Sequence, residues 1–197
     1  MIGNDIVDLD LAAQESNIRR RGFVDKLFLL HEKQIIENAI QQAPMLWLLW
    51  SCKEAVYKIV HRATHERKFA PQQFACYLLS SRDTEVLSSS IIVNNDCPVP
   101  QVTERMAGIV VHQQQPYYFQ TRITTTCIHT HAAVNPVLLQ QMNVFTGCYS
   151  DRDILSPTQL LFKDESGIPY MRDRDTGLAA PVSLSHHGRY FGMVHIS

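Results

Sequence analysis

The pattern of apolar residues changes near Lys68, and this change most limits the folds open to the chain. Before it, from Leu11 to about Ala39, apolar residues recur at helix-like spacings. Pro44 suits a first helical position, where its missing N–H costs nothing. A helix is therefore predicted from Pro44 to about Arg62.

Beyond Lys68 the chain favours strands. Segments rich in β-branched and aromatic residues alternate with polar and proline-containing stretches, which predicts an antiparallel sheet. The predicted strands are Phe74–Leu79, Ser90–Val93, Ala107–His112, Tyr117–His131, one around Val182 and Tyr190–Ile196, with a helix at Pro136–Phe145 and a turn at Asp164–Gly167. We therefore expect an α+β fold in which the sheet packs on a long helix.

Charge and cysteine content narrow the classes of partner. The 197 residues include 18 Lys and Arg against 19 Asp and Glu, so the net charge is −1, which argues against a general nucleic-acid binder. The five cysteines are scattered without a CxxC pair, which favours a reducing cytoplasm. The most apolar run, Met45–Trp50, is far shorter than the roughly 20 residues that cross a membrane.

Glu54 and Lys58 lie four residues apart, one above the other on the predicted helix. An ordinary surface ion pair of this spacing stabilises a helix by about 0.2–0.5 kcal/mol. Trp50 lies on the same stripe, with Trp47 three residues before it, and suggests the edge of a core. A partly buried carboxylate needs a cation, which Lys58 or a metal ion could supply.

Asp5 lies in a short predicted strand, on the face that carries Val7 and Leu9. A carboxylate there either caps a helix, forms a buried ion pair, or binds a cation. The third alternative pairs Asp5 with Glu54 as oxygen ligands of Mg²⁺, which prefers one or two carboxylates together with water and substrate phosphates.

A Ser-His pair, Ser185 and His186, lies in the last part of the sequence. Neighbouring side chains of a strand point to opposite faces, so this pair is a poor hydrolase dyad. It is either an ordinary polar turn or a phosphate contact at a strand end. Cys127, His129 and His131 share a strand face and could bind zinc, but without a recognisable fourth ligand a half-exposed strand face is the better explanation.

Three segments taken together resemble the 4′-phosphopantetheinyl transferase superfamily. They are Gly3-x-Asp5-Ile6-Val7-Asp8, Trp50-Ser51-x-Lys53-Glu54-Ala55-x-x-Lys58 and Ser183-Leu184-Ser185-His186. The stretch Arg20–Phe28, followed by His31-Glu32, is similar to the helix that precedes the second motif in holo-acyl-carrier-protein synthases. Residues 80–160 resemble nothing that we can name.

The resemblance implies a transferase that moves the phosphopantetheine arm of coenzyme A onto a serine of an acyl or peptidyl carrier protein. Asp5 and Glu54 would bind Mg²⁺, with Mn²⁺ as a substitute, beside the diphosphate of coenzyme A. Lys58 and Lys53 would contact or balance the phosphates, and Ser185 and His186 would bind the nucleotide end. Glu54, or a water molecule on the metal, would take the proton of the carrier serine.

Two positions depart from the family pattern. A frequent Gly-Lys-Pro segment is Gly167-Ile168-Pro169 here, so its lysine is either missing or replaced by Lys163 or Arg189. Longer members carry a further acidic residue at the position of Val7. Asp8 lies nearby but faces the wrong side of the strand.

The order of the motifs suggests two pseudo-symmetric halves in swapped order, residues 1–95 and 100–197, with a seam near Asn94–Arg105. Our hypothesis is a monomer with its site between the halves; a trimer, as in the short synthases, is the alternative. Arg19, Arg20 and Arg21 form either a docking patch for an acidic carrier or a solvated helix face. Two other functions stay open: a relative that binds coenzyme A or a carrier without transfer, and a structural interaction module.

Overall fold

The computed structural model describes residues 1–79, 91–93, 101–149 and 158–196, and for 91–93 it describes the backbone alone. Helices are concentrated in the first third of the chain. They are α1 (Leu9–Glu15), α2 (Phe23–Leu27), α3 (Leu30–Asn38), α4 (Gln42–Thr64) and, further on, α5 (Pro136–Gln140), with a 3₁₀ helix at Pro71–Gln73. None of the helices in the described residues combines the length and the hydropathy that crossing a membrane requires.

A first sheet of five antiparallel strands packs on α4. Its strands, in spatial order, are β1 (Ile2–Asp8), β6 (Cys127–Ala133), β5 (Gln115–Ile123), β4 (Glu104–His112) and β2 (Phe74–Leu78). The 23-residue α4 buries an apolar stripe that includes Leu49, Cys52 and Val56 against this sheet. Burying that stripe is the main favourable contribution to holding helix and sheet together.

A second sheet contains the last part of the chain. Its order is β3 (Ile91–Val93), β7 (Met142–Cys148), β11 (Tyr190–Ile196), β10 (Ala179–His187), β9 (Pro169–Asp173) and β8 (Gln159–Lys163). All of its pairs are antiparallel except β3 with β7. Strand β1 of the first sheet packs against β10 and β11 of the second, so the first strand lies where the two sheets meet.

Three predicted elements are divided in the structure. The helix expected over residues 11–39 becomes α1, α2 and α3, because Ser16 and Phe28 adopt extended backbone and Gly22 a left-handed conformation with φ of +75°. The strand expected over residues 117–131 is a hairpin, in which Thr124 Oγ1 accepts hydrogen bonds from Thr126 N and Cys127 N.

The helix expected over residues 136–145 ends after five residues. Asn135 caps it and Pro136 begins it, but the chain then enters β7. Val144 of that strand is fully buried in an apolar cluster to which both sheets contribute. The need to bury this apolar segment between strands outweighs its local helix propensity.

The predicted seam near residues 94–105 does not separate the two sheets. β4, β5 and β6 follow it but belong with β1, whereas β3 precedes it and belongs to the second sheet. Strand number and order also differ between the sheets. The proposed pseudo-symmetry of two halves therefore stays a prediction.

Candidate active site

Strand β1 lies directly on helix α4 at Gly3. A Cβ atom at this position would lie 2.1 Å from the carbonyl oxygen of Ala55, well inside contact distance. Only glycine permits so close an approach. The approach brings Asp5, two residues further along the same strand face, beside the middle of α4.

Lys58 of α4 connects the helix with this strand. Its Nζ donates to the carbonyl oxygen of Asn4 at 2.6 Å and to Oδ1 of Asp5 at 3.3 Å. The Lys58 side chain is 29% exposed and that of Asp5 15% exposed, so the ion pair lies at the edge of the core. Ser51, two turns before Lys58 in α4, also contacts this segment, since its Oγ lies 3.4 Å from the backbone oxygen of Asp5.

Glu54 is the second carboxyl group of the cluster. Burial and, to a smaller extent, the negative charge of Asp5 together raise the pKa of Glu54 to about 7, and Lys58 offsets only part of this rise. Burial also raises the pKa of Asp5, despite the opposing effects of the ammonium of Lys58 and the hydroxyl of Ser51. Two carboxyl groups thus face one ammonium group in a partly desolvated place, a situation that disfavours double ionisation.

This donor set fits a hard divalent cation. Carboxylate oxygens are the protein ligands that Mg²⁺ prefers, and its charge would favour the ionised form of both groups. Across the part of the chain that the structure describes, no three His, Cys, Asp or Glu residues form a metal-binding group. A cation at Asp5 and Glu54 would therefore keep coordination positions for water and substrate.

A cleft of about 430 Å³ begins at Lys58 and runs between the C-terminal part of α4 and the second sheet. Its polar lining is basic or neutral: Lys58, His61, Arg62, Lys163, Ser183, His186 and Tyr149. Arg62 is held by hydrogen bonds from its Nη2 to the carbonyl oxygens of Val182 at 2.6 Å and Pro169 at 3.3 Å. As no described carboxylate lines the cleft, it suits an anionic ligand.

Residues 1–95 match the sequence model of one protein family, described as the 4′-phosphopantetheinyl transferase superfamily. The match contains Asp5, Glu54 and Lys58, and it confirms the resemblance inferred from the sequence. A comparison with curated proteins gives no match.

The superfamily match ends before the Ser-Leu-Ser-His segment, which lies on β10. His186 lines the cleft, and its ring centroid lies 5.1 Å from that of Tyr149. The side chain of Ser185 points the other way. It is buried, and its Oγ accepts a hydrogen bond from Asn4 Nδ2 at 2.8 Å. The predicted nucleotide contact requires Ser185 to face the cleft, and in the structure it does not.

Lys53, the first lysine of the superfamily motif, also lies away from the cleft. Its side chain is fully buried, and its Nζ donates to Glu32 Oε2 at 2.6 Å and to the carbonyl oxygens of Leu27 and Pro71, each at 3.0 Å. All three N–H bonds of the ammonium are thereby used. The expected phosphate contact of Lys53 does not agree with this geometry, because the lysine joins α4 to segments that precede and follow it in the chain.

Asp8 does not reach the carboxylate cluster either. Its side chain accepts from the backbone N–H groups of Asp10 and Leu11 and so caps α1, and it forms an ion pair with Arg189 at 3.1 Å. Burial alone would raise the pKa of Asp8, but the hydrogen bonds from Arg189 and Leu11 hold it below its usual value. Because Arg189 is engaged with Asp8 and Asp10, Lys163 is the better candidate to replace the Gly-Lys-Pro lysine.

Two further groups can be placed. Arg19, Arg20 and Arg21 are exposed, in the turn between α1 and α2 rather than on a helix.

Of the three residues considered for zinc, Cys127 is a buried free thiol, and His129 bonds Asn4 through Nε2 and Thr146 through Nδ1. His129 thus lies in a buried network, not on the half-exposed face expected from the sequence.

The sequence pointed to neither Asn4 nor Arg62. Asn4 is a polar residue in an apolar strand, a signal that could have marked a buried amide. Arg62 lies in the last turn of α4, where a basic residue is ordinary because it complements the helix dipole. No sequence signal separates such a residue from one that lines a cleft.

Proposed function

We propose that the protein is a 4′-phosphopantetheinyl transferase, which moves the phosphopantetheine arm of coenzyme A onto a serine of an apo acyl or peptidyl carrier protein. One observation carries the proposal: Lys58 belongs both to the carboxylate cluster and to the basic cleft. A diphosphate at Lys58 would therefore lie beside Asp5 and Glu54, while the rest of the ligand extends along the cleft.

Asp5 and Glu54 are proposed to bind Mg²⁺, or Mn²⁺ in its place. When bound, the cation supplies positive charge that offsets the charge of the diphosphate oxygens during phosphoryl transfer. The raised pKa of both carboxyl groups supports this, since each would be ionised more readily beside a divalent cation.

The residues around the cleft have separate roles in the proposed reaction. Lys58 holds the diphosphate, and Arg62, Lys163 and His186 face the remaining phosphate and the nucleotide. Glu54 accepts the proton of the carrier serine, since a carboxylate that is ionised at neutral pH can act as a general base. The serine oxygen then forms a bond with the β-phosphorus, and the bond from that phosphorus to 3′,5′-ADP breaks.

A relative that binds coenzyme A without transferring it is the second candidate. Ile168 is buried where the family pattern has a lysine, and Ser185 faces away from the cleft. The cleft thus offers fewer phosphate contacts than the family pattern implies. Release of 3′,5′-ADP separates the two candidates. A cytoplasmic location stays a prediction.

The test is incubation with coenzyme A, Mg²⁺ and an apo carrier protein, followed by mass spectrometry of the carrier. A mass gain of one phosphopantetheine is expected for the wild type and for Glu37→Gln, a control on the exposed face of α3. Asp5→Asn and Glu54→Gln should abolish the gain while circular dichroism stays unchanged. Coenzyme A binding without release of 3′,5′-ADP from any of several carriers would favour the binding protein instead.

A further inference from the structure

Asn4, next to Asp5 in β1, uses its polar groups to connect both sheets with α4. Its side chain is fully buried. The backbone N–H donates to Ser183 Oγ at 3.0 Å, and the side-chain Nδ2 donates to Ser185 Oγ at 2.8 Å. The backbone oxygen accepts the 2.6 Å hydrogen bond from Lys58. Both serines of the Ser-Leu-Ser-His segment therefore bind this one residue.

His129 of β6 completes the network. Its Nε2 lies 3.1 Å from Asn4 Nδ2, and its Nδ1 lies 2.7 Å from Thr146 Oγ1 on β7. Burial, together with the charges of Arg122 and Lys58, lowers the pKa of His129 to about 3, so its ring is neutral. The partners then assign the proton to Nδ1, which donates to Thr146, while Nε2 accepts from the Asn4 amide.

Gly192 of β11 leaves the space that this network occupies. A Cβ atom there would lie 2.6 Å from His129 Nε2 and 2.9 Å from Ser185 Oγ. It would also lie 3.0 Å from the amide nitrogen of Asn4. The second sheet is thus shaped around the amide of Asn4.

Stability alone does not account for an amide at this position. Asn4 Oδ1 is buried and lacks a hydrogen-bond partner in the described parts of the chain. An unpaired buried acceptor is unfavourable, and an apolar group of the same shape with apolar partners can be as stable or more so. A requirement other than stability is therefore indicated.

We propose that Asn4 is a positioning residue, whose buried amide fixes the peptide unit that presents one carbonyl oxygen to Lys58 and carries Asp5. Side chains alternate along a strand, so Asn4 is anchored between the sheets while Asp5 faces α4. The contact of Lys58 with the Asn4 carbonyl, at 2.6 Å, is shorter than that with Asp5, at 3.3 Å. The location of the ammonium in the cleft thus depends on the peptide that Asn4 holds.

The proposal is tested by coenzyme A binding, measured by calorimetry, in a cycle of Asn4→Val and Lys58→Met. Asn4→Val should weaken binding at least fivefold in the wild type and less than twofold in Lys58→Met, because its effect passes through Lys58. An equal loss in both backgrounds would show a general structural role and overturn the proposal. Leu139→Ala, a core substitution in α5, controls for loss of stability and should leave binding unchanged.

A crystal structure of Asn4→Val gives a second readout that does not depend on any ligand. We expect Lys58 Nζ to leave hydrogen-bonding distance of the residue 4 carbonyl. A preserved contact near 2.6 Å would refute the proposal. Should Asn4→Val not fold, Ser185→Ala removes one partner of the amide and should act in the same direction with a smaller effect.

The kinetic part rests on the proposed transferase function. Asn4→Val should lower kcat for carrier modification at least tenfold, and Ser185→Ala added to it should cause less than a further twofold loss. If the wild type binds coenzyme A but transfers nothing, the proposed function fails, whereas the binding cycle and the crystal structure still decide the role of Asn4.

Discussion

The carboxyl group of Glu54 has a pKa of about 7 because it is buried beside a second acid, with Lys58 as a partial counter-charge. Its usual value is 4.5. Below pH 4.5 the carboxyl group of Glu54 is mainly protonated in both the folded and the unfolded chain. Between 4.5 and about 7 only the unfolded chain ionises, so the metal-free protein loses stability as the pH rises.

Glu54→Gln should therefore stabilise the metal-free protein at pH 8 and change little at pH 4.5. The difference in the free energy of unfolding between variant and wild type should grow by about 3 kcal/mol over this range, as measured by urea denaturation with EDTA present. Mg²⁺ should narrow the difference at pH 8 by stabilising the wild type alone. A difference that does not vary with pH would contradict the assigned pKa.

Lys53 and Lys58 provide a matched pair of substitutions on one helix. Lys53→Met leaves the buried Glu32 carboxylate without its cation, which should cost about 3–5 kcal/mol of stability. Adding Glu32→Gln should recover part of the loss. Lys58→Met breaks an ion pair that is only partly buried, and Asp5 can be protonated instead of remaining as an unpaired charge, so it should cost less than Lys53→Met does.

The ligand response of these two variants should be the reverse. Lys58→Met should weaken coenzyme A binding, measured by calorimetry, because Lys58 lines the cleft. Lys53→Met, measured at a temperature where it is folded, should bind as the wild type does. Weaker binding by Lys53→Met would instead support the original prediction that Lys53 contacts the phosphates.

At this scale the sequence predicted the residues whose spacing carries information. The interval of four residues between Glu54 and Lys58, together with the strand face on which Asp5 lies, made it possible to predict that these three side chains form one cluster. Lys53 and Ser185 could not be placed in the same way, because the neighbours that bury them come from distant segments. Glu32, the partner of Lys53, lies 21 residues away, and Asn4, the partner of Ser185, lies 181 residues away.

Between elements, the contact of β1 with α4 depends on the missing side chain at Gly3. Gly3→Ala would place a methyl group 2.1 Å from the Ala55 oxygen, so strand and helix must separate. Overpacking of this kind typically costs about 1–3 kcal/mol. We also expect Asp5 to move away from Glu54. The rate of carrier modification should therefore fall by more than the loss of folded protein can explain.

Gly177→Ala is the control for this substitution. It adds the same methyl group in a turn where nothing lies within 4 Å, although the φ of +71° is strained for alanine. A modest loss of stability with full transferase activity is expected. If the two variants lost activity alike, the close approach at Gly3 would not explain the site.

Element boundaries could be predicted where local chemistry determines them. The helix begun near Pro44 and the strands around Phe74, Val182 and Tyr190 are present. The hairpin turn at Thr124 escaped prediction because its three threonines are strand formers. Its turn is made by the Thr124 hydroxyl, which a propensity pattern does not reveal.

On the scale of the whole molecule, α4 and the second sheet supply the cleft from one chain. Because the lining residues that the structure describes come from one chain, we expect a monomer of 22.5 kDa. Light scattering at several concentrations measures this mass. A trimer would overturn the single-chain site and indicate the arrangement of the short synthases.

The arginine turn gives a prediction about the carrier. Arg19, Arg20 and Arg21 are exposed, and an acidic carrier would be attracted to their charge. Changing all three to Glu should raise KM for the carrier at least tenfold, more strongly at low salt, and leave coenzyme A binding nearly unchanged. Equal losses for both substrates would argue against docking at this turn.

The path of the chain between the sheets has a further consequence. β2 belongs to the first sheet, β3 to the second and β4 to the first again. Cutting the chain once therefore cannot yield two fragments that each fold alone. In each fragment either a sheet lacks one of its strands or a strand lacks the strands with which it pairs. Even residues 1–95, the part that the family model matches, include β3, whose partner strand β7 lies beyond them. We therefore expect a cut at any single site to destabilise both fragments.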